Sequence, residues 1–155
     1  MAAGKDAAPS NREPFSGTPR HGSCLCGSVR YSVDGPMRAV VACHCQQCRK
    51  QSGHFFAATD ALDTDLTITD GGTLKWYAAS LEAQRGFCGK CGSALFWKRN
   101  GSVKTSILAG SMDGETRLAL DRHIFVANKG DYYDVEDGLP RFDQDDGAVS
   151  KPEWS

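Results

Sequence analysis

The chain has 155 residues, enough for one domain with its own core, and combines 40% hydrophobic and 24% charged residues with a formal net charge of -1. That balance excludes a disordered chain, and no run approaches the roughly eighteen apolar residues that span a bilayer. Its 18 Lys and Arg are scattered rather than gathered on one stripe, so nucleic acid, which calls for a concentrated cationic face, is not an expected partner.

Residues 1 to 20 are rich in Ala, Pro, Ser and Gly without periodicity and read as a flexible tail. They lack the apolar stretch of a secretory signal and carry Asp6 and Glu13, unlike an acid-poor transit peptide, so a cytoplasmic location and no membrane association are expected. From 21 to 143, short alternating stretches recur between turn residues, the pattern of one mainly β domain with few short helices. In SVRYSVDGP, Val29, Tyr31 and Val33 share one face and Ser28, Arg30 and Ser32 the other, before Asp34-Gly35-Pro36 turns the chain. CQQCRKQSG, 45 to 53, is the one stretch that invites a helix, of one or two turns stopped by Gly53. LTITDGGTLKWY reads as two strands around Gly71-Gly72, with Leu66 and Ile68 answered by Leu74 and Trp76. ALFWKRNGSVKTSIL reads as a hairpin whose Asn100-Gly101 suits a type I′ turn, and RHIFVA, 122 to 127, as the final strand. Trp76, Tyr77, Phe87, Phe96 and Trp97 are assigned mostly to the core, Asp113 to a turn and 144 to 155 to a second tail.

Seven cysteines fall into three clusters: Cys24 and Cys26 in CLC, Cys43, Cys45 and Cys48 in CHCQQC, and Cys88 and Cys91 in CGKC. An odd count in a reducing compartment favours metal ligation over disulfides, and a bridge inside either short motif would be strained. In CGKC, Gly89 and Gly92 let backbone N–H groups fold around the sulfurs as in a zinc knuckle. A redox pair would need a strand-to-helix context, and this pair stands between strands. No second C-x-x-C lies at zinc-ribbon distance, so CLC is the natural donor of two more sulfurs, and Cys24, Cys26, Cys88 and Cys91 are expected to hold a structural zinc.

That division leaves Cys43, Cys45 and Cys48 for a second zinc with one position to fill. His44, inside C-x-C, is expected to point away from the metal. His54 or His123 would close the site as a structural element. An open position would instead suit a fourth sulfur, because three thiolates make zinc a soft and weak Lewis acid, and a thiol substrate would then bind as its thiolate. Arg49 and Lys50 follow the triplet, and either hold a substrate carboxylate or form a solvated helix face.

Taken together, GSCLCGSVRY, CHCQQCRKQSG, YAASLEAQRGFCGKCGSALF, ILAGSMD, HIFV and LPRFD resemble, in this order, segments of the glutathione-dependent formaldehyde-activating enzyme family, which also includes centromere protein V. The likeness runs from about residue 21 to 143 and departs after HIFV, where this chain reads ANKGDYYDV. It implies a β-tent fold, stacked antiparallel sheets stapled by zinc. It also implies two zinc ions per chain, the structural one on Cys24, Cys26, Cys88 and Cys91 and the functional one on Cys43, Cys45 and Cys48. The activity it implies is that of a carbon–sulfur lyase joining a glutathione-like thiol and a small aldehyde such as formaldehyde to S-hydroxymethylglutathione, or the reverse. Two rival readings are a non-catalytic zinc-stabilised domain that binds a protein partner, and a redox switch that uses the triplet.

Overall fold

The computed structural model describes residues 12–13 and 17–145. In chain order its strands are β1 (Arg12–Glu13), β2 (Arg20–Ser23), β3 (Arg30–Val33), β4 (Met37–Arg38), β5 (Val40–Cys43) and β6 (Phe56–Leu62), with α1 (Gln46–Ser52), the one α-helix among the described residues, between the last two. There follow β7 (Leu66–Thr69), β8 (Leu74–Ala78), β9 (Ala83–Cys88), β10 (Ala94–Arg99), β11 (Lys104–Leu108) and β12 (Leu120–Ile124), with three short 3₁₀ turns. The mainly β expectation is met.

Seven strands form one sheet in the order β12-β5-β6-β11-β10-β9-β8, three form a second in the order β2-β3-β7, and β1 pairs with β4. All pairings are antiparallel except β12 with β5, which run parallel. The alternation read in SVRYSV decides how the two larger sheets meet. Tyr31 and Val33 point inward and are buried, while Arg30 faces solvent. They pack with Val29, Met37, Leu95, Phe96 and Ile107 in a core that also takes in Cys24 and Cys88. Tyr31 meets Phe96 edge to face, with ring centroids 5.4 Å apart. A smaller cluster of Cys48, Phe56 and Ala58, with Trp97 packed against it, forms beneath α1.

Four expectations are corrected. The strands around Gly71-Gly72 are not partners: β7 pairs with β3 and β8 with β9, so the turn carries the chain from one sheet to the other. It is built on Asp70, whose carboxylate accepts the Leu74 N–H and whose carbonyl accepts the Thr73 N–H. At Asn100-Gly101 only the glycine has positive φ (80°), whereas a type I′ turn needs it at both positions. Asn100 is committed elsewhere, its backbone N–H to the Glu82 carbonyl and its side-chain amide to the Leu81 carbonyl. The last strand ends at Ile124 because Phe125 adopts the left-handed conformation, φ 56°. Finally, Trp76 and Tyr77 lie on the edge strand β8 and remain 39% and 64% exposed rather than joining the core.

The two expected tails fall largely outside the described residues. Within them, β1 pairs with β4, and the Gln144 carbonyl accepts the Phe125 N–H. Among the described residues no helix is long and apolar enough to cross a membrane.

Candidate metal centres and the adjoining cavity

All seven cysteines are free thiols, and the fold gathers them into two groups. Cys24 and Cys26 come from the loop after β2, Cys88 from the end of β9 and Cys91 from the turn that follows. The four sulfurs all lie within 4.8 Å of one another. Sulfurs 2.3 Å from a tetrahedral zinc stand roughly 3.8 Å apart. Cys24 to Cys26 is 3.6 Å and Cys26 to Cys88 is 3.9 Å, so this donor set fits a divalent metal. Backbone N–H groups point at the sulfurs, from Val29 to Cys24 at 3.2 Å and from Lys90 to Cys88 at 3.3 Å. Gly92 closes the knuckle with φ 81°, while Gly89 has a steric role: a Cβ there would stand 2.9 Å from the Lys75 side chain. The hydroxyls of Ser28 and Ser93, each 3.2 Å from a sulfur, draw Cys26 and Cys91 below the usual thiol range, Cys91 to about 5.

The second group is Cys43, Cys45 and Cys48, whose sulfurs also lie within 4.8 Å of one another. Cys43 ends β5, Cys45 is the N-cap of α1 and accepts the Cys48 N–H at 3.4 Å, and Cys48 is buried in the first turn. Gly53, φ 88°, stops the helix by donating its N–H to the Arg49 carbonyl, as expected. Hydrogen bonds from Cys43 and Cys48 favour the thiolate of Cys45 and pull its pKa well down. The Cys45 and Cys48 contacts push Cys43 up. Three sulfurs in mutual reach suit a soft metal and leave a tetrahedral set one ligand short.

Neither His54 nor His123 joins this group among the described residues. His54 is exposed, and its Nδ1 lies 2.9 Å from the Tyr132 hydroxyl. His123 is 3% exposed with both ring nitrogens engaged, Nδ1 to His44 Nε2 at 2.9 Å and Nε2 to the Asp137 carboxylate at 2.8 Å. His44, fully buried, completes a chain by bonding Tyr133 through Nδ1. Both its ring nitrogens are thus engaged away from the metal group, which does not include it. Burial, with the His123 charge behind it, lowers the His44 pKa to about 4 and keeps the ring neutral.

The three thiols form part of the wall of a cavity of about 290 Å³. Phe56, Trp97 and Phe125 supply apolar walls, and Arg85 the cation nearest the sulfurs. Arg85 is 4% exposed, with Nη2 3.4 Å from Cys48 Sγ. Arg49 and Lys50 do not line this cavity: Arg49 donates through Nε to the Asn128 carbonyl, and Lys50 faces solvent.

A family model described as glutathione-dependent formaldehyde-activating enzyme matches residues 19–128. The chain belongs to that family. The resemblance read in the cysteine motifs and the expectation of an enzyme are both met by this membership. A Schizosaccharomyces pombe protein named only as an uncharacterised lyase is 26% identical over 126 residues, 81% of this chain and 91% of its own. A Halomonas elongata protein provisionally named a glutathione-dependent formaldehyde-activating enzyme is 29% identical over 125 residues, 74% of this chain and 80% of its own. A crystal structure of a Rhodobacter sphaeroides protein, 24% identical, shares the fold with a TM-score of 0.51 over 63% of this chain and 91% of its own.

In this formaldehyde-activating family member the sequence reading missed Arg85 and the chain from Tyr133 to Asp137. A signal for the first was present: strand alternation places Arg85 on the buried face of AQRGFC with Ala83. For the second there was none, because His44 meets Tyr133 across 89 positions and His123 across 79.

Proposed function

We infer that the protein is a zinc-dependent carbon–sulfur lyase acting on the adduct of a glutathione-like thiol and a small aldehyde, S-hydroxymethylglutathione being the type. The observation that carries this is a three-thiol group, joined by no histidine among the described residues, on the wall of a cavity. Family membership and the names of the two relatives support it. Cys24, Cys26, Cys88 and Cys91 would hold a closed, structural zinc, and Cys43, Cys45 and Cys48 the functional one, within a domain spanning about 21 to 143. Zinc held by three thiolates would offer a soft position that favours sulfur and lowers the pKa of the thiol it binds.

In the joining direction the sulfur bonds to the carbonyl carbon, and the thiol proton ends on the former carbonyl oxygen. Cleavage breaks that carbon–sulfur bond and returns the hydroxyl proton to sulfur, so neither direction consumes an oxidant or a reductant. The chain's own part is to hold and to shield. Phe56, Trp97 and Phe125 keep water from one side of the site, and α1 fixes Cys48 relative to its cap residue Cys45. The His44 chain ties the segment between Cys43 and Cys45 to β12 and to the 129–137 loop.

Metal stoichiometry tests the assignment. Two zinc ions per chain are expected in the wild type and one in Cys45→Ser, which should also lose turnover of S-hydroxymethylglutathione while remaining folded. One ion in both proteins, or full turnover by the variant, would overturn it.

A further inference from the structure

Arg85 is a buried cation with no carboxylate partner among the described residues. Its guanidinium reaches Gln51 at 3.2 Å and Gln47 at 3.4 Å, both neutral amides on α1, and Cys48 Sγ at 3.4 Å. It sits 5.3 Å from the centroid of the Phe56 ring, and its buried Nε has no hydrogen-bond partner. A buried charge is tolerated when an opposite charge offsets it, and the group able to become anionic in contact with Arg85 is Cys48, one of the three thiols. The contrast with the cavity's other buried arginine is direct, since Arg38 is held by the Asp60 carboxylate at 2.9 Å.

We propose that Arg85 is the counter-cation of the three-thiol centre and the residue that lets it accept a fourth, negatively charged sulfur, a role that rests on the open-site reading above. Three thiolates around a divalent ion carry one net negative charge, and an entering thiolate adds a second. The walls of Phe56 and Trp97 and the burial of Cys48 limit how far that charge is dispersed into water, so a fixed guanidinium against Cys48 helps to offset it. Gln47 and Gln51 hold the planar fork from the helix that also carries Cys48, so cation and sulfur are placed by one element. Neutral partners position the guanidinium without cancelling its charge. The selectivity that follows is for an anionic ligand over a neutral one of similar affinity for the metal.

Cobalt-substituted protein tests this, with the thiolate-to-metal absorption followed as glutathione or imidazole is added. In Arg85→Gln, glutathione should bind about ten- to hundred-fold more weakly, imidazole should bind as in the wild type, and two metals per chain should be retained. Arg85→Lys, which keeps the charge but not the fork, should recover part of the loss. Gln47→Glu changes an exposed residue, so it leaves the core untouched while giving Arg85 a competing carboxylate. It should weaken glutathione binding in the same direction, and so serves if Arg85→Gln does not fold. Unchanged glutathione binding in Arg85→Gln or Gln47→Glu, or an equal loss of glutathione and imidazole, overturns the counter-cation role alone. A wild-type spectrum that glutathione does not move overturns the open site and this role with it.

Discussion

The two thiol groups are made of the same atoms but are surrounded differently. The four-thiol group lies partly in water, with Cys26 exposed, and its near neighbours are the hydroxyls of Ser28 and Ser93 and backbone N–H groups. The three-thiol group lies against a cavity, with Cys48 5% exposed, a guanidinium against one sulfur and a fully buried histidine between the other two in sequence. Solvent and hydroxyls disperse the charge of the first, so it can be complete in itself and serve the fold. The second has one fixed cation against a sulfur and a cavity beside it, the surroundings that the proposed exchange of a ligand calls for. The positions in the fold agree. Cys24 and Cys88 are members of the main core, whereas Cys48 belongs to the small cluster beneath α1.

The largest effect that would break this contrast is expected at Cys88, which is fully buried where the strand β9 meets the core. Cys88→Ser should lose one metal and fail to fold, because metal binding at a structural site contributes roughly 10 kcal/mol to the folded state. Far-ultraviolet circular dichroism with metal analysis reads it. Cys45→Ser should lose one metal with a thermal midpoint shifted by only a few degrees. Equal destabilisation by the two substitutions would make both groups structural.

Those expectations were legible at the level of spacing. C-x-C and C-x-x-C impose close sulfurs whatever the rest of the chain does, and Cys45 and Gly53 mark both ends of α1 within the same nine residues. The turn at Gly71-Gly72 looks the same whether its strands pair with each other or part to different sheets, because the choice is made by β3 and β9, which lie elsewhere in the chain. The parallel pairing of β12 with β5 and the meeting of His44, His123, Tyr133 and Asp137 are likewise products of distant contacts. Arg49 and Lys50 drew attention by standing next to the triplet, yet the cation that touches a sulfur comes from β9, 37 residues from Cys48.

A smaller effect is expected where the three-thiol group leans on its histidine chain. Tyr133→Phe removes the hydroxyl that bonds His44 Nδ1 while keeping the ring that stacks on it. Loss of a partner that orients a ligand segment lowers metal affinity by about tenfold. Competition with a chelator should therefore show the second metal released more readily from Tyr133→Phe and the first held as before. If both metals weaken alike, the chain stabilises the fold at large and not the three-thiol group.

The smallest expected effect belongs to the four-thiol half. Tyr31 packs in the core with Cys24 and Cys88, and its hydroxyl is 2.6 Å from that of Ser111. Desolvation raises its pKa to about 12 against an ordinary value near 10. Folding thus favours the neutral phenol. Its contribution is fully present below pH 10 and is lost as pH rises from 10 to 12, about 3 kcal/mol in all. Tyr31→Phe should lose about 1 kcal/mol at neutral pH with the Ser111 hydrogen bond, and should be less sensitive than the wild type between pH 10 and 12. Denaturant melts at neutral and alkaline pH would show the two stabilities converging and then crossing as pH rises, because the wild type loses more in alkali than the margin it starts with. Parallel curves would mean that ionisation of Tyr31 is not what weakens this half of the molecule in alkali.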